Sequence, residues 1–439
     1  MSRNLLVCCD GTWNDAEKTK ESERSNVWRF LEIAAPVRGE TNKYFPGVGT
    51  GDLNDRLKGG IWGFGIGRSI CEAYGWLAKQ YQSGDQLFLV GFSRGAFTVR
   101  SLAGMIGCRG LNTRLAGLDE DAYRKGVAAE YEAYRAGDSV ANPKPNIHFV
   151  GVFDTVGKLG VPDDHKIINL FDQPENWAFH NTKLGSHVIH GRHALAIDER
   201  RAEFMPTLWV TNAGQPIYDS EKDGRTVKQL WFCGQHSDIG GGANQPATNM
   251  ALRWMLEEAR DCGLKIDADA IVNLKLDVTA KLSNSSGRPL TVMPRGVPLL
   301  EPVNVGKIVH DSVTARRDKD AAYWPALFFS ANPIPFAVCS GKGQAWQSAG
   351  VWLENGQKFI AKTAGRRGGT FVSGFVANGG NPNIDGTWPD HEKFALNEPF
   401  KVKNGSGYVY FRVLREPVTH GKGGDRLMWR TLTVSLEGL

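Results

Sequence analysis

A serine, an aspartate and a histidine each stand at the end of an apolar run, and together these three residue types can carry out acyl transfer. Ser93 lies in Gly91-Phe92-Ser93-Arg94-Gly95, directly after "DQLFLV" and directly before the helical pattern "AFTVRSLAGMIG". Glycines on both sides of a serine at a strand-to-helix turn suit a nucleophile, whose backbone there is strained and closely packed. A serine that only caps the following helix is the alternative. A serine hydroxyl attacks when a base takes its proton and an acid orients that base. His236, in the glycine-rich "FCGQHSDIGGG", is the candidate base, and Asp154, closing the run in "GVFDTVG", is the candidate acid. Asp198, in "HALAIDERRAEF", competes for the acid's place, although Glu199, Arg200 and Arg201 around it suit an ion-paired role. Asp238, two residues from His236, is read as ordering the loop.

Acyl transfer also needs donors for the developing oxyanion. The backbone N–H of Arg94 follows the candidate nucleophile at a helix N-terminus, and Gly11 and Thr12 in "CCDGTWND" are the second candidates. "GGIWGFGIGRS" lacks the spacing of a phosphate-binding glycine loop and has no following lysine, so it is read as a loop bordering the site. His236-x-Asp238 with Asp10 supplies too few clustered ligands for a metal site, and no metal or other cofactor is expected. His180, His187, His190 and His193 fall in a mixed stretch read as loop, with surface or local hydrogen-bonding roles.

The elements that must position these residues follow from the pattern of apolar runs. "NLLVCC", "DQLFLVGFS", "NIHFVGVFDTVG" and "VKQLWFCGQHSDIGGG" are continuous rather than alternating, as in strands buried on both faces. Helical patterns at 69–81, 96–107, 119–137 and 247–263 separate them. Strand then helix, repeated, predicts a doubly wound α/β domain with its site at the carboxyl ends of the strands. After about residue 330 the helical periods stop, and short β-branched and aromatic runs between Gly, Asn and Pro predict a β-sandwich. The expected division is therefore a catalytic domain over 1–330 and an accessory domain over 331–439.

At 439 residues, 41% of them hydrophobic, the chain can bury a large core, and a formal charge of +5 gives no case for nucleic acid. The N-terminal apolar run is too short for a signal peptide, so cytoplasmic synthesis is expected. The seven scattered cysteines read as buried thiols. Between the nucleophile and the acid, the charged helical segment at 111–138 and the apolar side chains of "NLFDQPENWAFHNTKLG", Trp177 and Phe179 among them, are expected to form a lid that meets a lipid surface.

In this order, "CCDGTWND", "YFPGVGTG", "GDQLFLVGFSRGAFTVRSLAGMIG", "FVGVFDTVG", "HALAIDERRAEFMP", "QHSDIGGG" and "LRWMLEEARDCGL" resemble an α/β-hydrolase family that includes phospholipase effectors of bacterial type VI secretion. The resemblance runs from residue 4 to about 328. It implies a serine hydrolase, and in the effector branch a phospholipase A acting on membrane glycerophospholipids. The family's G-F-S-R-G serine falls on Ser93 and its H-S-D-x-G-G-G histidine on His236, while the aspartate falls on Asp154 with Asp198 as rival. It also implies a secretion apparatus or an immunity protein as partner, with release into target cells. The C-terminal layout resembles galactose-binding lectin-like jelly-roll modules, which implies a glycan ligand. Where those lectins hold sugar through calcium, however, "HGKGGDRLMW" offers only Asp425, and Trp346, Trp352 or Trp388 would have to supply the contact.

Overall fold

The structure, a computed structural model, describes residues 3–12, 14, 20–34, 41–47, 65–139, 142–156, 184–199, 204, 206–211, 217–242, 245–283, 308–320 and 323, then the strands between 334 and 436 with a few flanking residues. The chain divides into two compact units, one taking 1–196, 206–283 and 307–316, the other 197–205, 284–306 and 317–439.

Among the described residues, the first unit is built on a seven-stranded sheet. Its strands are β1 (Asn4–Cys9), β2 (Thr41–Phe45), β3 (Gln86–Phe92), β4 (Ile147–Phe153), β5 (Val188–Ala196), β6 (Asp219–Lys222) and β7 (Arg225–Phe232). They lie in the order β2-β1-β3-β4-β5-β7-β6. All pairs are parallel except β6 with β7, a hairpin whose turn residues Asp223 and Gly224 both take positive φ, the geometry that a two-residue turn between twisted strands requires. Every residue of β1 is buried, as the unbroken run "NLLVCC" demands.

Helices cover both faces. α1 (Asn26–Ala34), α2 (Ile66–Gln80), α3 (Arg94–Arg109) and α4 (Glu120–Arg135) come before β4, and α5 (His236–Gly240), α6 (Gln245–Asp261), α7 (Ala268–Val272) and α8 (Asp311–Lys319) follow β7. Side chains of α2, α3 and α4 meet Leu5, Val7, Leu87, Leu89 and Val150 on one face of the sheet. Side chains of α1 and α6 meet Leu6, Cys8, Phe88, Val90 and Phe149 on the other. The chain leaves β1 outward to β2 and returns on its other side as β3, so the order reverses between β1 and β3. A crevice at the carboxyl ends of those two strands follows from that reversal.

Two expectations are corrected here. The stretch holding His190 and His193 is a central strand, β5, rather than a loop. Its polar residues find partners on neighbouring elements, as Arg192 does with Glu258 of α6 at 2.5 Å, so polarity in the sequence did not mean exposure. The helix α4 is no lid: Tyr123, Val127, Tyr131 and Tyr134 are buried in the core, where Tyr131 and Tyr134 fill the space left by Gly67 and Gly104.

Among the described residues, the second unit contains two four-stranded antiparallel sheets. β8 (Ile334–Ser340), β10 (Lys358–Thr363), β13 (Pro399–Lys401) and β15 (Met428–Leu436) form one, in the order β13-β10-β15-β8. β9 (Gln347–Leu353), β11 (Val372–Asn378), β12 (His391–Phe394) and β14 (Gly407–Val413) form the other, in the order β12-β11-β14-β9.

Candidate active site

Ser93 ends β3 and opens α3 with φ 55° and ψ −119°. A non-glycine residue there carries about 1–3 kcal/mol of backbone strain, which persists only where the surroundings fix it. They do so on several sides. Ser93 N donates to Phe153 O at 3.0 Å, and Ser93 O accepts from Phe97 N at 3.2 Å. A Cβ on Gly95 would come within 2.1 Å of Cys9 O, and one on Gly91 within 2.5 Å of Gly95 O. The two glycines of the motif are therefore spaces that let β1, β3 and α3 converge.

Asp154 follows β4 with a φ of 40° and has no exposed surface. Its N–H donates to Ala194 O at 2.7 Å, and its Oδ1 accepts from Ala196 N at 3.1 Å. Its Oδ2 accepts from His236 Nδ1 at 2.6 Å, and His236 Nε2 is 2.9 Å from Ser93 Oγ. With Nδ1 donating, Nε2 carries the lone pair and accepts from the serine hydroxyl. His236 begins the short helix α5, which a reciprocal cap between Gln235 and Asp238 starts. Asp238 also accepts from Ser283 N and Ser283 Oγ, which is the loop-ordering role expected of it. The Phe92 ring lies 4.7 Å from the imidazole, in space that a side chain at Gly240 would fill.

A layer beneath this line escaped the sequence reading. Gln229 Nε2 donates to Trp209 O at 3.0 Å and to Ile217 O, so its Oε1 must be the acceptor, and it receives Trp209 N at 2.9 Å. His193 Nδ1, 3.0 Å from that same oxygen, therefore carries the proton. His193 Nε2 is left as a lone pair and accepts from Thr155 N at 3.1 Å, directly behind Asp154. Both His193 and Gln229 are wholly buried. The signal available in the sequence was the pairing of β5 with β7, which sets His193 opposite Gln229.

The loop after β1 meets the same corner. The buried Asp10 carboxylate accepts from Gly11 N at 2.7 Å, from Tyr44 Oη at 2.7 Å and from Ser25 Oγ. Burial raises its pKa to about 6 against the lowering effect of those donors and of Asn14. Gly11 N–H is thus directed at Asp10. Thr12 Oγ1 is buried and has no hydrogen-bond partner. The N–H of Arg94 opens α3, next to Ser93.

Asp198 accepts from Tyr323 Oη at 2.7 Å. Trp177 and Phe179 lie outside the described residues. Among the described residues, no three His, Cys, Asp or Glu side chains gather in a group that would hold a metal ion.

A mostly parallel sheet with a sharp serine turn at the end of β3 defines an α/β fold of the hydrolase-like class. Residues 3–258, more than half of the chain, match the family described as "T6SS, Phospholipase effector Tle1-like, catalytic domain". The chain belongs to this family of Tle1-like phospholipase effectors, and membership supports a phospholipase-type function and fits delivery by a type VI system. The chain is also 28% identical over 240 residues to an uncharacterised protein of Saccharomyces cerevisiae, an alignment spanning 46% of this chain and 32% of the yeast protein. The chain thus spans about a third of that relative's length. The crystal structure of an uncharacterised protein from Pseudomonas aeruginosa is 17% identical, with a TM-score of 0.36 over 63% of this chain and 49% of that one. The family match ends at residue 258, so it does not extend to the glycan ligand expected for the C-terminal strands. Among the described residues, no helix is long and apolar enough to cross a membrane.

Proposed function

We propose that the protein is a phospholipase A that cleaves carboxylic esters of membrane glycerophospholipids through an acyl-enzyme on Ser93. One observation carries this proposal: the unbroken line from Ser93 Oγ through His236 to Asp154, with links of 2.9 and 2.6 Å. His236 Nε2 takes the hydroxyl proton as Oγ attacks the ester carbonyl, and the Asp154 carboxylate stabilises the imidazolium that forms. His236 then gives the proton to the leaving glycerol oxygen. Water, deprotonated by the same nitrogen, releases the fatty acid. Arg94 N–H and Thr12 serve the oxyanion in this scheme, because Gly11 N–H is already given to Asp10. The 331–439 segment acts as an accessory module, and the partner is a type VI apparatus or an immunity protein.

Incubation with mixed phospholipid liposomes and mass spectrometry of the products tests the proposal directly. Free fatty acid and lysophospholipid are expected from the wild type. Ser93→Ala should lower turnover by about 10⁴- to 10⁶-fold with little change in stability. Near-normal turnover by Ser93→Ala would remove the nucleophile, and cleavage of short soluble esters alone would make the protein a carboxylesterase.

A further inference from the structure

Arg100 lies on α3 seven residues after Ser93, about 10 Å along the helix axis and on nearly the same face. Arginine side chains on a helix run back toward its N-terminus, here toward Ser93. Its Nη1 donates to Thr207 O, and its guanidinium carbon lies 5.1 Å from the centre of the Trp209 ring. Thr207 N donates in turn to Thr155 O at 2.9 Å, so one peptide segment ties the arginine to the residue after Asp154. Each of the two residues that hold this segment also carries a buried polar atom without a hydrogen bond: Arg100 Nη2, and Oγ1 of Thr155, a residue with no exposed surface.

Among the described residues the charge is also uncompensated. Burial lowers the Arg100 pKa to about 9, and no carboxylate of those residues acts in the other direction. Arg192 and Arg109, by contrast, have Glu258 at 2.5 Å and Glu130 at 2.9 Å. A buried cation without a counter-charge is costly, and guanidinium can only donate, so an acceptor bearing negative charge completes it best. The residue as a whole keeps some exposed surface.

We propose that Arg100 Nη2 and Thr155 Oγ1 bind the phosphate of the substrate, holding a phosphodiester headgroup beside the ester that Ser93 attacks; this rests on the esterase function proposed above. The guanidinium donates to one phosphate oxygen and the threonine hydroxyl to another, while the Trp209 face keeps the guanidinium plane fixed. Free phosphate offers the same chemistry, so the test separates the two sources.

The full chain carrying Ser93→Ala, which binds without turnover, is titrated calorimetrically with monomeric dihexanoyl phosphatidylcholine and separately with inorganic phosphate. Lipid binding that Arg100→Met weakens about 10- to 100-fold, and Thr155→Val by a smaller factor that Thr155→Ser restores, is the expected result. Binding of inorganic phosphate alone would overturn the headgroup assignment, and lipid binding indifferent to both variants would overturn the site. The melting temperature of Arg100→Met should hold or rise, since an unpaired buried charge is removed. If that variant instead fails to fold, Thr155→Val and Thr155→Ser decide the matter alone. In the active enzyme, the ratio of kcat/KM for dihexanoyl phosphatidylcholine to that for uncharged dihexanoylglycerol should fall about 10- to 100-fold in Arg100→Met. An unchanged ratio would refute the subsite while leaving the esterase intact. Arg100-dependent lipid binding by a wild type that cleaves neither compound would refute the esterase while leaving the subsite intact.

Discussion

Thr155 belongs to two polar groups that the fold treats in opposite ways. Its N–H enters a column through His193 and Gln229, where Gln229 alone makes bonds to His193, Trp209 and Ile217. Its Oγ1, on the same buried residue, has no partner, and neither does Arg100 Nη2 nearby along the chain of contacts. Burial is common to both groups, so burial does not explain the difference. A saturated network resists displacement because any shift breaks several bonds at once, and it suits the task of holding Asp154 in one place. An unsaturated pair raises the free energy of the ligand-free protein, and binding can recover that cost. On this contrast, the saturated column suits positioning and the unsaturated pair suits binding.

The largest expected effect breaks the saturated side at its centre. Asp154→Asn keeps the shape but reverses the proton at His236 Nδ1, so kcat should drop by about 10⁴-fold with KM little changed. Asp198→Asn should leave kcat within about twofold, because that carboxylate serves Tyr323. Steady-state kinetics on a soluble ester measures both. If Asp198→Asn is the crippling change, Asp154 is not the acid.

Much of this site could be read from the residues before any coordinates. Ser93, Asp154 and His236 each end a run whose continuous apolar character marks a strand buried on both faces, so their meeting at one end of a parallel sheet followed from the pattern. The supporting layer was harder to see, for a physical reason. β5 reads "VIHGRHALA", where two histidines and an arginine interrupt the apolar run, and only partners on β7 and α6 make those residues tolerable inside. Such pairings join residues tens of positions apart and leave no local period. The helix α1 and the strand β2 were missed as well: "TNKYF" has only Phe45 fully buried, since it is an edge strand. The segment holding α4 read as a charged helix of a lid, yet its tyrosines pack where glycines of α2 and α3 leave room, a complementarity visible only in three dimensions.

A second test sharpens the contrast at Asp10, a saturated group that is also charged. Its pKa, raised from the ordinary 3.8 to about 6 by burial, means that the folded chain binds this proton more tightly than the unfolded chain does. Its contribution to stability is therefore fully present below about pH 4 and is lost as pH rises to about 6. Ser25, Tyr44, Asn14 and the Gly11 N–H are the groups that face it, and none of them titrates in that window. Asp10→Asn removes the ionisation, so the unfolding free energy of wild type minus that of the variant should fall by up to about 3 kcal/mol between pH 4 and pH 7. Urea titrations across that range read the difference. A flat difference would mean that the donors fully offset burial, and Asp10 would then be as comfortable charged as neutral.

The smallest expected effect bears on whether the column positions Asp154 or merely packs beneath it. His193→Phe keeps the ring and removes both nitrogens, which frees Thr155 N–H and takes one of two donors from Gln229 Oε1. Asp154 keeps its own bonds to Ala194, Ala196 and His236, so the loss is one of alignment. A fall in kcat of about 10-fold, with KM within about twofold, is what a positioning role requires. Packing alone would lower the melting temperature and leave the kinetics of the remaining folded enzyme unchanged. The double variant separates the two further: if His193 acts through Asp154, adding His193→Phe to Asp154→Asn should cost almost nothing more, because the carboxylate it aligns is already gone. Full additivity would detach His193 from the acid. In the wild type, nitrogen NMR of the labelled imidazole should show a neutral ring with its proton on Nδ1, since Thr155 N–H needs the lone pair on Nε2; a proton found on Nε2 would break the chain of bonds from Gln229 to Asp154 at that link.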